Sequence, residues 1–185
     1  MKALSLLSKI HRAGNYLLSK IFFLPHEGSG RFLPSGFPTF ISNRSEECLS
    51  EYVPGGLTAY RAAVIKKIRF DEHLQSYGYM EDDDIGYRIS RLFQILYCPA
   101  ARCQHLHASM GRITPYEAGK MLMINHHYLF HKNFPQDLHH QLAHWLSLIG
   151  YPILQVWNLQ GQRLIGSFSG LWLILFHKNP LSVIK

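Results

Sequence analysis

Residue 116 divides the chain by character, and that division restricts the folds open to it. Beyond it, "EAGKMLMINHHYLFHKNF", "DLHHQLAHWLSLIGYPILQVWNLQ" and "QRLIGSFSGLWLILFH" space their apolar residues for helices. Three helices are predicted, the second interrupted near Gly150 and Pro152. Before residue 116 the segments are short. "HEGSGRFLPSGFPTFISNRSEE" is rich in Gly, Pro and Ser, which predicts a long loop with a short strand at 37–41. "YVPGGLTAYRAAVIKKI" predicts a turn at Pro54-Gly55-Gly56, a strand over Leu57–Tyr60 and a helix over 61–68. "RFDEHLQSYGYM" reads as a loop with an aromatic tip, followed by a helix from Asp83 with Ile85, Ile89 and Leu92 on one face. "QILYCP" and "ARCQHLH" then read as two short strands around Pro99. The expected fold class is α/β, a short mixed sheet with a helical C-terminal tail.

The ends of the chain raise the question of a membrane. The opening "MKALSLLSKIHRAGNYLLSKIFFLP" predicts an amphipathic helix, because Lys9, His11 and Arg12 interrupt the apolar run that a signal peptide keeps intact. No run of about 18 uncharged apolar residues occurs, so a spanning helix is not expected. Trp145, Trp157 and Trp172 all lie in the last two helical segments, with Arg163, Lys178 and Lys185 nearby. That composition suits a helix pair lying in the plane of a membrane surface, and equally a pair packed on the core.

The net charge of +7 favours a phosphate-bearing partner: nucleic acid, an anionic membrane or a nucleotide-linked substrate. Nucleic acid is set aside. The basic residues are scattered apart from Lys66, Lys67 and Arg69, no recognition motif is present, and an acidic cluster would repel a phosphate backbone. Cys48, Cys98 and Cys103 are odd in number and show no C-x-x-C spacing, so the expected location is the reducing cytoplasm.

That acidic cluster is Glu81-Asp82-Asp83-Asp84, a third of the 12 acids, at the entrance of a helix. One or two carboxylates there are explained by the helix dipole and by unpaired amides. Four in a row repel one another, so a cation site and a general base stand beside the cap reading. Asp82-x-Asp84 is a poor match for the metal-binding Asp-x-Asp of nucleotide-sugar enzymes, since that motif ends an apolar strand and "SYGYM" is a loop. His127/His131 and His140/His144 are each spaced i,i+4. Neither pair has the Glu of H-E-x-x-H, and no third ligand is evident, so zinc is not predicted.

Taken together, "VPGGLTAYRAAV", "IRFDEHLQSYGYMEDDDIGYRISR" and "ILYCPAARCQHLHAS" resemble the second half of the catalytic domain of family 2 glycosyltransferases, inverting enzymes of the Rossmann-like GT-A fold. Four elements agree in order and spacing: a Gly-Gly turn before Tyr-Arg, a Phe-Asp-Glu, a Glu-Asp-x-Asp opening a helix with an arginine four residues on, and a strand ending in histidine. The likeness covers about residues 51–132. It implies glycosyl transfer from a nucleotide-sugar donor to a hydroxyl of a polysaccharide or lipid-linked glycan, with Asp82 as general base. It also implies substrate contacts at Gly55, Gly56, Tyr79, Glu81, Asp84 and Arg88. Asp84 and Arg88 suit an i,i+4 pair that fixes the helix start. His105 matches the strand-end histidine that ligates Mn or Mg in some of these enzymes.

The resemblance organises the chain as an N-terminal helix and linker (1–50), the acceptor-side half (51–115) and a helical region (116–185). A complete enzyme of this kind begins with a nucleotide-binding half of roughly 90–100 residues ending in Asp-x-Asp. Residues 1–50 show no βαβ pattern, and no aspartate occurs before Asp71. The expectation is therefore a fragment, a subunit assembling with a separate donor-half chain, or a glycan- or membrane-binding module, at the inner face of the cytoplasmic membrane.

Overall fold

The computed structural model describes residues 2–42, 44–104, 113–177 and 180–183. Its architecture is mixed α/β and predominantly helical. In chain order it runs α1 (Lys2–Ile21), β1 (His26–Glu27), β2 (Thr39–Phe40), β3 (Cys48–Ser50), a 3₁₀ turn (Gly55–Leu57), α2 (Ala62–Lys67) and α3 (Glu81–Ser90). Then come β4 (Ile95–Tyr97), α4 (Pro115–Asn133), α5 (Leu138–Trp157), α6 (Gly161–Phe176) and a closing 3₁₀ turn (Pro180–Val183).

Helix α4 is the axis of the fold. Thr114 caps it with a reciprocal pair of bonds: its hydroxyl accepts from the Glu117 amide at 3.2 Å, and the Glu117 carboxylate accepts from the Thr114 amide at 2.9 Å. Pro115 follows at the first helical position, where no amide is needed. Met123, Ile124 and Phe130 are buried along its length. Helix α6 lies against it with backbones almost touching, which glycine permits: a Cβ at Gly166 would collide with the Tyr116 carbonyl, and one at Gly119 with that of Arg163.

Helix α5 runs through Gly150 and Pro152 without the predicted interruption. Gly150 is a contact point, since the Phe22 side chain occupies the space its Cβ would take and so seats the end of α1 on α5. Pro152 removes one amide donor from the ladder, which a packed helix tolerates at a cost of about 3 kcal/mol.

The strands form two ribbons and not a single mixed sheet. β1 pairs parallel with β2 (His26 opposite Thr39), and β3 pairs antiparallel with β4 (Cys48 opposite Tyr97). Strands of two or three residues offer too little ladder to recruit a third. Leu57–Tyr60 is not a strand. The turn closes on itself, with the Leu57 amide and Thr58 hydroxyl donating to the Pro54 carbonyl at 3.0 and 2.7 Å. The strand expected over 101–107 is absent across 101–104, and its remainder lies outside the described residues.

One core joins the three sequence regions: Leu24, Phe37, Leu74 and Met80 pack with Leu122, Met123, Leu129, Leu148 and Tyr151. A smaller cluster of Val53, Ile68, Ile85 and Ile89 underlies α3. The burial of Ile85 alone contributes about 1.5–3 kcal/mol. Leu92, expected on the same face, is exposed beyond the end of the helix. Helices α5 and α6 pack inward, yet Leu142, Ile149, Ile153, Phe168 and Trp172 stay exposed on their outer faces. Among the described residues no helix is long and apolar enough to cross a membrane.

Candidate functional site

The approach to α3 is a backbone under strain. Ser76, Gly78 and Met80 all adopt left-handed conformations, with φ of 63°, 64° and 71°. For the two non-glycine residues this costs on the order of 1–3 kcal/mol each. Burial of the Met80 side chain in the core and a 2.8 Å bond from the Asn125 amide to the Tyr79 carbonyl hold the segment in place. The helix therefore begins at Glu81, two residues before the position predicted from periodicity.

Asp82 faces a cleft. Its Oδ2 accepts from the Gly55 amide at 3.1 Å and the Tyr52 hydroxyl at 3.3 Å, and its Oδ1 from the Asp83 amide at 3.1 Å. What brings these groups together is Gly86 one turn on, where a Cβ would lie 3.2 Å from the Glu51 carbonyl oxygen and 3.3 Å from Val53. Without a side chain there, α3 can lie against residues 51–53, placing Tyr52 and the Gly-Gly turn over the carboxylate. The cleft has a volume of about 460 Å³. Phe37, Pro38 and Leu122 supply apolar lining, Phe40, Tyr52, Tyr77 and Tyr79 line it with rings, and Gly55, Gly56, Glu81, Asp82 and Asp83 bring polar groups.

The electrostatics of the cleft favour protons. Asp83 is half-buried as a residue, but burial of its carboxyl and the neighbouring charges of Asp82 and Asp84 push its pKa well above the usual carboxylate range. Glu81 is raised for the same reasons, burial first and Asp82 second. Burial and the carboxylates of Asp82 and Asp83 keep Tyr52 a phenol and hence a donor.

The next carboxylate along the helix has the opposite surroundings. The Asp84 side chain is buried, salt-bridged to Arg88 and bonded at 2.8 Å to both the Lys132 ammonium and the Asn133 amide. Arg88 also donates to the Arg69 carbonyl at 2.7 Å. Lys132 bridges onward to Asp71, which accepts from the Tyr128 hydroxyl at 2.9 Å. Burial works to raise the Asp71 pKa, but the bonds from Lys132, His73 and Tyr128 outweigh it and hold it well below the ordinary value.

Of the residues predicted from sequence, Gly55, Gly56, Tyr79, Glu81 and Asp82 thus meet in the cleft, while Asp84 and Arg88 belong to a buried ion network behind it. His105 lies outside the described residues. Sequence reasoning missed Tyr52, Lys132 and Asn133, and gave Asp83 no role beyond its place in the acidic cluster. The position of Tyr52 two residues before the Pro-Gly-Gly turn was a usable signal for the first, whereas nothing local marks Lys132 or Asn133 as partners of an aspartate 48 and 49 residues away.

The carboxylates do not make a closed site for Mn or Mg. Asp84 is taken up by cations, and Asp82 is engaged by hydrogen-bond donors. Among the described residues the group close enough to share an ion is elsewhere: His127, His131 and His144. A third histidine that spacing does not reveal, His144, is thus brought to the His127/His131 pair by α5. No family model matches the chain, and no curated protein or solved structure matches it either.

Proposed function

We propose that the chain carries the acceptor side of an inverting glycosyl transfer, with the cleft receiving a sugar hydroxyl at Asp82. The observation supporting this most directly is a carboxylate held by the Gly55 amide and the Tyr52 hydroxyl at the edge of an aromatic-lined cleft. Sugar rings present apolar faces that stack on aromatic side chains, and hydroxyls that bond to carboxylates. In the reaction, the acceptor O–H bond breaks as its proton passes to the Asp82 carboxylate. The oxygen forms a bond to the anomeric carbon from one face while the carbon–phosphate oxygen bond breaks on the other, releasing a nucleoside diphosphate. A general base acts within about 3 Å of the proton it takes. The fixed donors on Oδ2 orient the carboxylate for that approach.

The strained 76–80 segment fits this reading, because strain is retained where a precise loop conformation serves a purpose. The acceptor is best suited to be lipid-linked. The outer faces of α5 and α6 expose Trp145, Trp157 and Trp172 with their aliphatic neighbours, and Lys9, Arg12 and Lys20 line the adjoining α1, a combination that favours peripheral contact with an anionic bilayer.

Titration calorimetry tests the proposal, with oligosaccharide acceptors and UDP-, GDP- and dTDP-sugars as titrants to the intact protein and to Asp82→Asn. Saturable acceptor binding that weakens in the variant is expected. Absence of binding to every glycan and every donor would remove the reading.

A further inference from the structure

We propose that His127, His131 and His144 form a binding site for a zinc-class divalent transition ion that fastens α4 to α5. One ring nitrogen from each residue lies within 4.8 Å of the other two. His127 and His131, one turn apart on α4, place their ring centroids 4.5 Å from each other, and α5 brings in His144 with its Nε2 3.0 Å from the Nδ1 of His127. Two imidazole nitrogens on one tetrahedral zinc stand about 3.3 Å apart, given Zn–N bonds of about 2.0–2.1 Å. That pair is therefore already at ligand spacing, and a ring nitrogen of the exposed His131 lies within 4.8 Å of both.

The surroundings prepare each ring. Gln136 donates its amide to the Phe130 and Phe134 carbonyls at 3.2 and 2.7 Å, so its Oε1 is the acceptor for His131 Nδ1 at 2.8 Å. The proton of His131 is thereby fixed on Nδ1 and its Nε2 lone pair is left for a ligand, the kind of outer bond that metal-binding histidines use. His144 is fully buried and stacked on Phe130 at 4.0 Å. Its Nδ1 closes no hydrogen bond of normal length, with the Ser35 backbone as the polar neighbour that favours a proton there. Burial first, and neighbouring histidines second, lower His127 to about 4 and His144 to about 3. Both are neutral at pH 7, the form in which imidazole ligates, so these two rings need only a tautomer shift to bind. An all-nitrogen set selects ions such as zinc over Mg or Ca. The exposed side of His131 leaves a fourth position to water.

The site has a structural reason to exist. Helices α4 and α5 meet through side chains, with His144 stacked on Phe130 and Ser147 bonded to His126, and the turn that holds His131 continues into Lys132 and Asn133, which secure Asp84. An ion here would pin that turn. This inference is independent of the glycosyl-transfer reading.

Chelator-treated intact protein is titrated with zinc chloride by calorimetry, and with cobalt(II) by visible absorption. One ion per chain, a tetrahedral cobalt spectrum and a zinc-dependent rise in the unfolding midpoint are expected. His131→Ala, at an exposed position, keeps the metal-free midpoint but weakens zinc by at least about 100-fold, the upper end for losing even an outer-shell partner. Failure of the wild-type protein to bind zinc stoichiometrically overturns the site. So does equal affinity in His131→Ala, which would place the ion elsewhere, for instance at the free cysteines.

Discussion

Asp82 and Asp84 are two residues apart on the same helical turn and live in opposite worlds. Asp82 looks into an open cleft and is held by an amide and a phenol, both neutral. Asp84 is buried behind it and held by Arg88, Lys132 and Asn133, which tie α3 to the end of α4. The difference teaches what an acidic run at a helix entrance can accomplish. One carboxylate secures the element to the core, and its neighbour, carried on the same rigid turn, is thereby held at the cleft. Asp83 lies between them and bears the electrostatic cost of the arrangement.

The largest effect should come from the secured side. Asp84→Ala leaves Lys132 and Arg88 without their shared anion, and the loss of one partner from a buried ion cluster costs about 3–5 kcal/mol. Denaturant unfolding would show it, and a loss near zero would mean the network is dispensable. Acid should act next. His127 and His144 have folded pKa values of about 4 and 3, below the ordinary 6.5, so the unfolded chain binds more protons between those limits. Stability from these rings is therefore complete above about pH 6.5 and is lost as pH falls toward the folded values. A melting midpoint measured against pH should slope upward across that window, and His131→Ala in metal-free protein should leave the slope largely in place.

Asp83→Asn sharpens the comparison in the other direction. Its carboxyl has a raised folded pKa, so the folded chain binds more protons than the unfolded one above about pH 3.8, and stability declines as pH climbs through the folded value. The amide removes that penalty. Asp83→Asn is expected to melt higher than wild type at neutral pH and to match it near pH 3, and an unchanged or lower midpoint at neutral pH would show that the charge is not a burden. The smallest stability change belongs to Asp82→Asn, about 1 kcal/mol or less, because the amide oxygen can still accept from the Gly55 amide and the Tyr52 hydroxyl. If the cleft takes a sugar as proposed, the loss is confined to glycan binding, so a large stability loss would move Asp82 to the structural side of the comparison.

Much of this site is legible in the sequence because its parts are local. The Gly-Gly turn, the aromatic loop and the helix opening with acids are set by turn chemistry, by the lack of a side chain and by 3.6-residue spacing, all within a few residues. The helices α4 and α6 follow from the same periodicity, and a Thr-Pro-Tyr-Glu signal marks the start of α4. The readings that failed depended on distant partners. The breaker residues Gly150 and Pro152 suggested an interruption, whereas the Phe22 side chain filling the glycine's space made it a packing point. The strand proposed for Leu57–Tyr60 had suitable residues but no neighbouring ladder to join.

The sequence by itself determined where charge and helices lie: four acids at one helix entrance, histidines spaced by one turn, and a C-terminal region that must be helical. Only the tertiary structure decided what those residues do. It sent Asp82 to a cleft and Asp84 to a lysine 48 positions away, and it carried His144 across from α5 to complete a pair on α4. The physical reason is range. Helix periodicity and capping are properties of a few consecutive residues, but the environment of a carboxylate or an imidazole is set by whichever chain segments the core packs around it.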